Sequence, residues 1–121
     1  MSTSEIATVL AWHDALNAAD YDTLLALCSE DIEVGDSEGA LQGHQALLDW
    51  VQNSGGGVVE VGRLYVHDGV VVAEQTATGA DGRPDASAFR VVHDHVTSVF
   101  RHETLEAALA ATGLSERDLD T

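Results

Sequence analysis

From residue 58 onward the sequence is a succession of β-branched runs divided by tight turns, and no other feature narrows the fold as far. Val58 to Val66 and Val70 to Thr78 flank His67-Asp68-Gly69. Asp-Gly between alternating apolar runs is a strong hairpin signal, because the favoured two-residue turn needs positive φ at both positions. Ala80-Asp81-Gly82-Arg83-Pro84 reads as the next turn. Ala86 to Val92 and Val96 to Arg101 read as two more strands around His93-Asp94-His95.

The first half carries helical periodicity instead. Ser2 and Glu5 have capping-box spacing. Val9, Trp12, Leu16 and Ala19 fall on one helix face, flanked by Ile6 and His13. Asp20 can cap a short second helix carrying Leu24, Leu25, Leu27 and Cys28. Asp31 to Asp36 reads as a first strand, with Ile32 and Val34 alternating against acids. After Gly43 comes a third helix with Leu47, Leu48, Trp50 and Val51, stopped by Ser54 and Gly55 to Gly57. A last helix runs from about Thr104 to Thr112 with Leu105, Ala108 and Leu109 on one face. Gly113 suits the residue just past its end, and Leu114 the accompanying hydrophobic contact.

Helices followed by a strand meander give an α+β fold whose sheet buries one face against the helices. The 121 residues suffice for one domain, and no repeat or linker divides them, so residues 1–121 read as a single unit. Long twisted strands wrapped around the first helix would leave a conical pocket. The expected architecture is therefore a cone-shaped α+β barrel: N-terminal helices on a strongly curved, mostly antiparallel sheet, with a short C-terminal helix.

The charge excludes one class of partner. There are 21 acids against five arginines and no lysine, for a net charge of −16. Such a surface repels phosphate backbones, so no nucleic acid is expected. No apolar run approaches the ~20 residues of a membrane span, so no membrane is expected either. MSTSEIATVLAWHDALN lacks a basic region before an apolar block, and the chain reads as cytoplasmic. A single cysteine, Cys28, excludes an internal disulfide framework and a cysteine-rich zinc site.

Asp36, in the stretch DIEVGDSEGALQGH, supports two readings. At the mouth of an apolar pocket it would be desolvated, and its raised pKa would make it a general base near neutral pH. As a turn residue beside Ser37 and Gly39 it would bond its own backbone. Trp12 could donate its indole N–H to a ligand oxygen, or sit as a core tryptophan. Leu16, Trp50, Phe89 and Phe100 carry the same choice between pocket lining and core. An inward Arg90 or Arg101 could clamp a carboxylate, whereas an outward one would pair with the acidic surface. Alternation sets Arg101 in step with Val99 and opposite to Phe100. Glu74 is a second candidate acid, or else an edge or dimer-face charge. His93-x-His95 with His102 crosses a turn and lacks a further ligand at convincing spacing, so no metal is expected. Ser54 to Gly57 follows a helix and precedes a strand, the reverse of a phosphate loop, and no cofactor is expected.

The run WHDALNAADYDTLLALCSEDIEVGDSEGALQGHQALLDWV, with HVTSVFRHETLEAALAATGLSE near the end, resembles the nuclear transport factor 2-like superfamily, in its SnoaL-like and ketosteroid isomerase-like branches. The resemblance covers roughly residues 5 to 116. It implies the cone fold, a pocket for a small apolar organic ligand, and a homodimer paired through the sheet by residues such as Val59, Val61, Val72 and Thr97 or their alternates. In the pattern Asp-Asp-x-x-Val-x-Asp of the ketosteroid isomerases, Glu30 to Asp36 sets Asp36 at the general base. Trp12 stands where that family has an oxyanion-donating tyrosine. The strand Ala86 to Val92 has no acid where its second donor, a protonated aspartate, belongs, and only Ser87 could donate there. The resemblance also favours Arg101 facing inward. The fold hosts isomerases, cyclases, epoxide hydrolases, dehydratases and binders. The expected function is thus a cofactor-independent isomerase or cyclase using Asp36, or a noncatalytic ligand-binding or dimerisation protein.

Overall fold

The helices of the first half form as their periodicity predicts, but two of them end earlier. In the computed structural model, which describes residues 3–36, 39–53, 59–77 and 85–119 and Asp36 through its backbone, α1 spans Thr3–Asn17 and α2 spans Tyr21–Ala26. Ala19, expected on the α1 face, lies beyond the helix with φ 56°. There it closes the helix: Asp20 N–H reaches Ala15 O at 2.9 Å and Ala19 N–H reaches Leu16 O at 3.1 Å. These are the paired bonds of a left-handed helix end, made here without glycine. Asp20 then caps α2, its carboxylate accepting from the Thr23 hydroxyl at 2.8 Å.

Cys28, expected on the second helix, belongs to the first strand. β1 spans Cys28–Asp36, and Cys28 pairs with Val96 of β6, His95–His102. That pairing outweighs the short apolar run that suggested a longer helix. β1 continues into β2, Gly39–Gln42, a strand not anticipated because its four exposed residues show no alternation. Gly35 lets β2 approach: a Cβ there would collide with the Gly39 carbonyl and the Ala40 backbone. α3 spans His44–Asn53, and its first residue His44 bonds the Ser29 carbonyl at 3.1 Å.

The second half is the expected meander. β3 (Val59–His67), β4 (Val70–Ala77), β5 (Asp85–Val92) and β6 pair antiparallel in sequence order. Asp68 and Gly69 both have positive φ, as the hairpin signal requires. His93 and Asp94 do the same at the second hairpin without glycine. The full order is β2-β1-β6-β5-β4-β3, with β1 parallel to β6. The sheet is open among the described residues, so the cone is not a closed barrel. The expected Ser2 cap, the Ser54 to Gly57 stop and the Ala80 to Pro84 turn lie outside the described residues.

Each sheet face has its own cover. On the inner face, α1, α2 and α3 bury Val9, Trp12, Leu24 and Leu47 against Ile32, Val71, Phe89 and Val99. On the outer face, α4 (Leu105–Thr112) packs through Leu105, Ala108 and Leu109 on Tyr65, Val72, Ala86 and Ala88. Thr104 caps α4, and Gly113 at φ 76° ends it as expected, with Leu114 N–H on Leu109 O at 3.1 Å. Val72, expected to await a second copy, is thus covered within the chain, and Val61 packs with the inner cluster.

Candidate functional site

The inner face is apolar except for one buried chain of hydrogen bonds and a partly exposed ion pair between Arg101 and Asp85. His13 lies one turn after Val9 on α1 and is buried under the sheet. Its Nδ1–H donates to the Val9 carbonyl at 2.9 Å. That leaves Nε2 as the acceptor for the Gln75 side-chain amide from β4. The Gln75 Oε1 accepts in turn from the Ser87 hydroxyl of β5 at 2.8 Å. Every polar atom of this chain is partnered, which is the condition for keeping it in an apolar interior. Burial lowers the pKa of His13, and its bonded contact to Val9 opposes the shift only in part.

Around this chain stand the aromatic residues. Trp12, His13 and Phe89 meet edge to face, with ring centroids 5.1–5.4 Å apart. Trp12 and Phe89 are fully buried, and Leu16 and Trp50 are partly buried against the same cluster. The indole N–H of Trp12 has no oxygen or nitrogen acceptor among the described residues and lies beside the Cys28 thiol. Burial pushes that thiol up to about 11, and the indole N–H offsets part of the rise. Sulfur is a weak acceptor, so the indole N–H remains the least satisfied donor of the inner face.

The remaining candidates divide between the faces. Arg101 pairs in register with Ser87, and its guanidinium holds Asp85 at 2.9 Å, partly exposed. Phe100 alternates to the outer face, where it pairs with Ala88 and Gly35, so it is not brought together with Trp12. Asp36 ends β1 opposite Gly39. Glu74 is an outer-face residue bound to Arg63 at 3.2 Å, which holds its carboxyl below the usual range. Among the described residues, no group of three or more His, Cys, Asp or Glu could hold a metal. Among them also, no helix is long and apolar enough to cross a membrane.

His13 and Gln75 carry the site's polar character, yet sequence reasoning singled out neither. The signals were present. His13 follows Val9 by four residues, and Gln75 follows Val71 and Ala73 by the strand period of two. A polar residue in step with buried ones needs a buried partner.

The His13 environment has a consequence for pH. The unfolded chain takes up a proton near the ordinary 6.5, while the folded chain resists until lower pH. His13 therefore adds full stability above that value and loses it as pH falls. The slope of that loss is at most ~1.4 kcal/mol per pH unit below 6.5. Urea denaturation of the protein and of His13→Gln across pH 7 to 5 checks this. The gap between the two should narrow with acid, and a constant gap would contradict it.

Comparison with known proteins gives this architecture a family. Residues 9–106 match the family described as SnoaL-like domain. Among curated proteins none matches the sequence. The fold is similar to a Kribbella flavida protein provisionally named a ketosteroid isomerase, at TM-score 0.74 and 20% identity, covering 82% of this chain and 76% of that one. It is similar to an LEH-like epoxide hydrolase of M. tuberculosis, at TM-score 0.69 and 18% identity over 92% and 93% of the two chains. A Catenulispora acidiphila protein of ketosteroid isomerase-like fold, solved with trimethylamine, gives TM-score 0.66 and 21% identity over 89% and 93%. At these identities the likeness establishes the nuclear transport factor 2-like cone fold.

Proposed function

We propose that this chain, which belongs to the SnoaL-like domain family, is a small-molecule pocket protein that takes up a largely apolar organic molecule on the inner side of its sheet. In this reading Asp36 is the general base of an isomerase- or cyclase-type reaction that needs no cofactor. The observation that supports it is the β1 register. Asp36 follows Ile32 and Val34, both buried in the inner cluster, at the strand's period of two. A carboxylate beside apolar walls has the raised proton affinity that such a base needs. The reading includes a cytoplasmic setting and a homodimer paired through the outer sheet face.

Binding without turnover is the second reading, and one observation favours it. The Ser87 hydroxyl is already committed to Gln75 and the Arg101 guanidinium to Asp85, so the inner face offers a substrate oxygen little beyond the Trp12 indole N–H.

Fluorescence separates these outcomes, since Trp12 and Trp50 both touch the inner cluster. A panel of apolar ketones and aromatic polyketide-like compounds should include ligands that quench emission saturably. Asp36→Asn should leave the affinity within about threefold, because apolar contact supplies most of the binding free energy. Turnover lost in Asp36→Asn supports catalysis, and a bound ligand unchanged by the wild type supports the second reading. If no compound quenches up to its solubility limit, the pocket reading fails.

A further inference from the structure

The chain from His13 through Gln75 to Ser87 has a direction, and that direction can be reversed without moving the backbone. The Val9 carbonyl only accepts, so it keeps a proton on His13 Nδ1 at 2.9 Å. Neutral His13 therefore has only an acceptor, Nε2, to offer Gln75. Gln75 must turn its NH2 toward His13 and its Oε1 toward Ser87, whose hydroxyl donates at 2.8 Å. The Ser87 proton is thereby taken, and the open capacity of its oxygen is to accept.

A second proton on His13 inverts every link. Nε2–H then donates, so Gln75 must present Oε1 to it, which a half-turn of the amide achieves. The NH2 now faces Ser87 and donates to its oxygen, which releases the hydroxyl proton for another acceptor. Both arrangements pair His13 with Gln75 and Gln75 with Ser87. An amide left unturned would set Nε2–H against NH2, two donors in an apolar interior.

Ser87 borders the partly exposed end of the inner face. It pairs in register with Arg101, whose ion pair with Asp85 is partly open to solvent. Phe89, two residues on, belongs to the aromatic cluster.

The geometry points to Gln75 as a relay through which His13 sets the hydrogen-bonding sense of Ser87 toward a bound molecule: an acceptor for an alcohol while His13 is neutral, a donor to a ketone once it is protonated. The inference rests on the apolar pocket proposed above, and it names the polar group that a ligand carries there at neutral pH, a hydroxyl. Gln75 is a positioning residue in this scheme, since it acts through Ser87.

Other groups bear on His13. Asp14, next to it on α1, favours its proton, and burial, the larger influence, holds the proton off. Among the described residues, the titratable or charged groups on the inner side of the elements around α1 are Tyr21 of α2, Cys28 of β1, Asp85 of β5 and Arg101 of β6. Glu74 of β4 and Arg63 of β3 pair on the outer face.

Nuclear magnetic resonance of the free protein from about pH 7 to 5 tests the relay without a ligand, and reading His13 by its own ring nitrogens separates it from those groups. At neutral pH His13 should be the Nδ1–H tautomer, and the Gln75 side-chain amide signals should move with the same midpoint as His13. An Nε2–H tautomer at neutral pH, a Gln75 amide that ignores His13, or a protein that unfolds before His13 titrates overturns the relay. Menthol and menthone, which differ by a hydroxyl against a carbonyl, then test the selectivity. At neutral pH menthol should bind about three- to tenfold more tightly, the usual worth of one hydrogen bond. By linkage, menthol should move the His13 midpoint to lower pH and menthone should move it to higher pH. Ser87→Ala should still bind both compounds but lose the preference and both shifts. Equal affinities in the wild type, or a preference that survives Ser87→Ala, overturns the selectivity while leaving the pocket in place. A protein that binds neither compound up to its solubility limit overturns the selectivity together with the pocket reading.

Discussion

A 5-ene-3-ketosteroid incubated with this protein should remain essentially unconverted, at least about 10⁴-fold slower than an enzyme with a complete oxyanion hole would achieve. The reaction removes a proton beside a carbonyl and builds negative charge on its oxygen. Ketosteroid isomerases meet that charge with a tyrosine and a protonated aspartate. The resemblance sets Trp12 where the tyrosine belongs, and on the strand where the aspartate belongs only Ser87 could donate. The structure shows why neither substitutes. Trp12 is locked edge to face between His13 and Phe89, with its N–H turned to Cys28. Ser87 gives its hydroxyl proton to Gln75 at 2.8 Å. Each lost donor typically costs ~10²–10³ in rate, and two losses compound. Absorbance at the conjugated enone measures the product directly. Rapid conversion abolished by Asp36→Asn would show that another group stabilises the oxyanion and would sink this expectation.

Replacing Gln75 with leucine should cost about 2–5 kcal/mol of stability, although the new side chain is apolar, similar in size and placed in an apolar core. The cost comes from what is left behind. His13 Nε2 and the Ser87 hydroxyl both lose their partner, and each buried orphan costs ~1–3 kcal/mol. Adding Ser87→Ala to Gln75→Leu should recover part of the loss, because it removes one orphan rather than creating another. Urea denaturation with an unchanged m-value reads the difference. A Gln75→Leu protein within 0.5 kcal/mol of wild type, by the ~0.5 kcal/mol scale of neutral surface changes, would mean that the chain contributes no net stability.

The elements legible in the sequence are those with a local physical signature. Asp68-Gly69, Gly113 and the alternating runs of the second half each state their conformation in a few residues, and each stands in the structure. What the sequence did not show depends on distant partners. Cys28 joins a strand because Val96 offers it a pair, and Gly39–Gln42 becomes a strand because Gly35 clears space for it. At the site, Trp12 and Phe89 were legible as aromatic residues on apolar faces, and the structure brings them together. Phe100 was grouped with them by type, whereas the phase of its strand sends it to the other face. His13, Gln75 and Ser87 come from three elements, and only the assembled sheet makes them one hydrogen-bonded chain.

The parallel pairing of β1 with β6 sets a timetable for the growing chain. Almost the entire sequence between Cys28 and Val96 must be made before the two can meet. At ~5–20 residues per second, β1 leaves the ribosome several seconds ahead of its neighbour. Through that interval one of its two hydrogen-bonding edges and the apolar side chains of Ile32 and Val34 have no sheet to enter. An unsatisfied strand edge invites pairing with other chains. The acids that punctuate the strand, Glu30, Asp31 and Glu33, give the nascent segment a charge that discourages such contacts. The carboxylates of β1 are thus in place on the nascent strand before the sheet that will receive it exists.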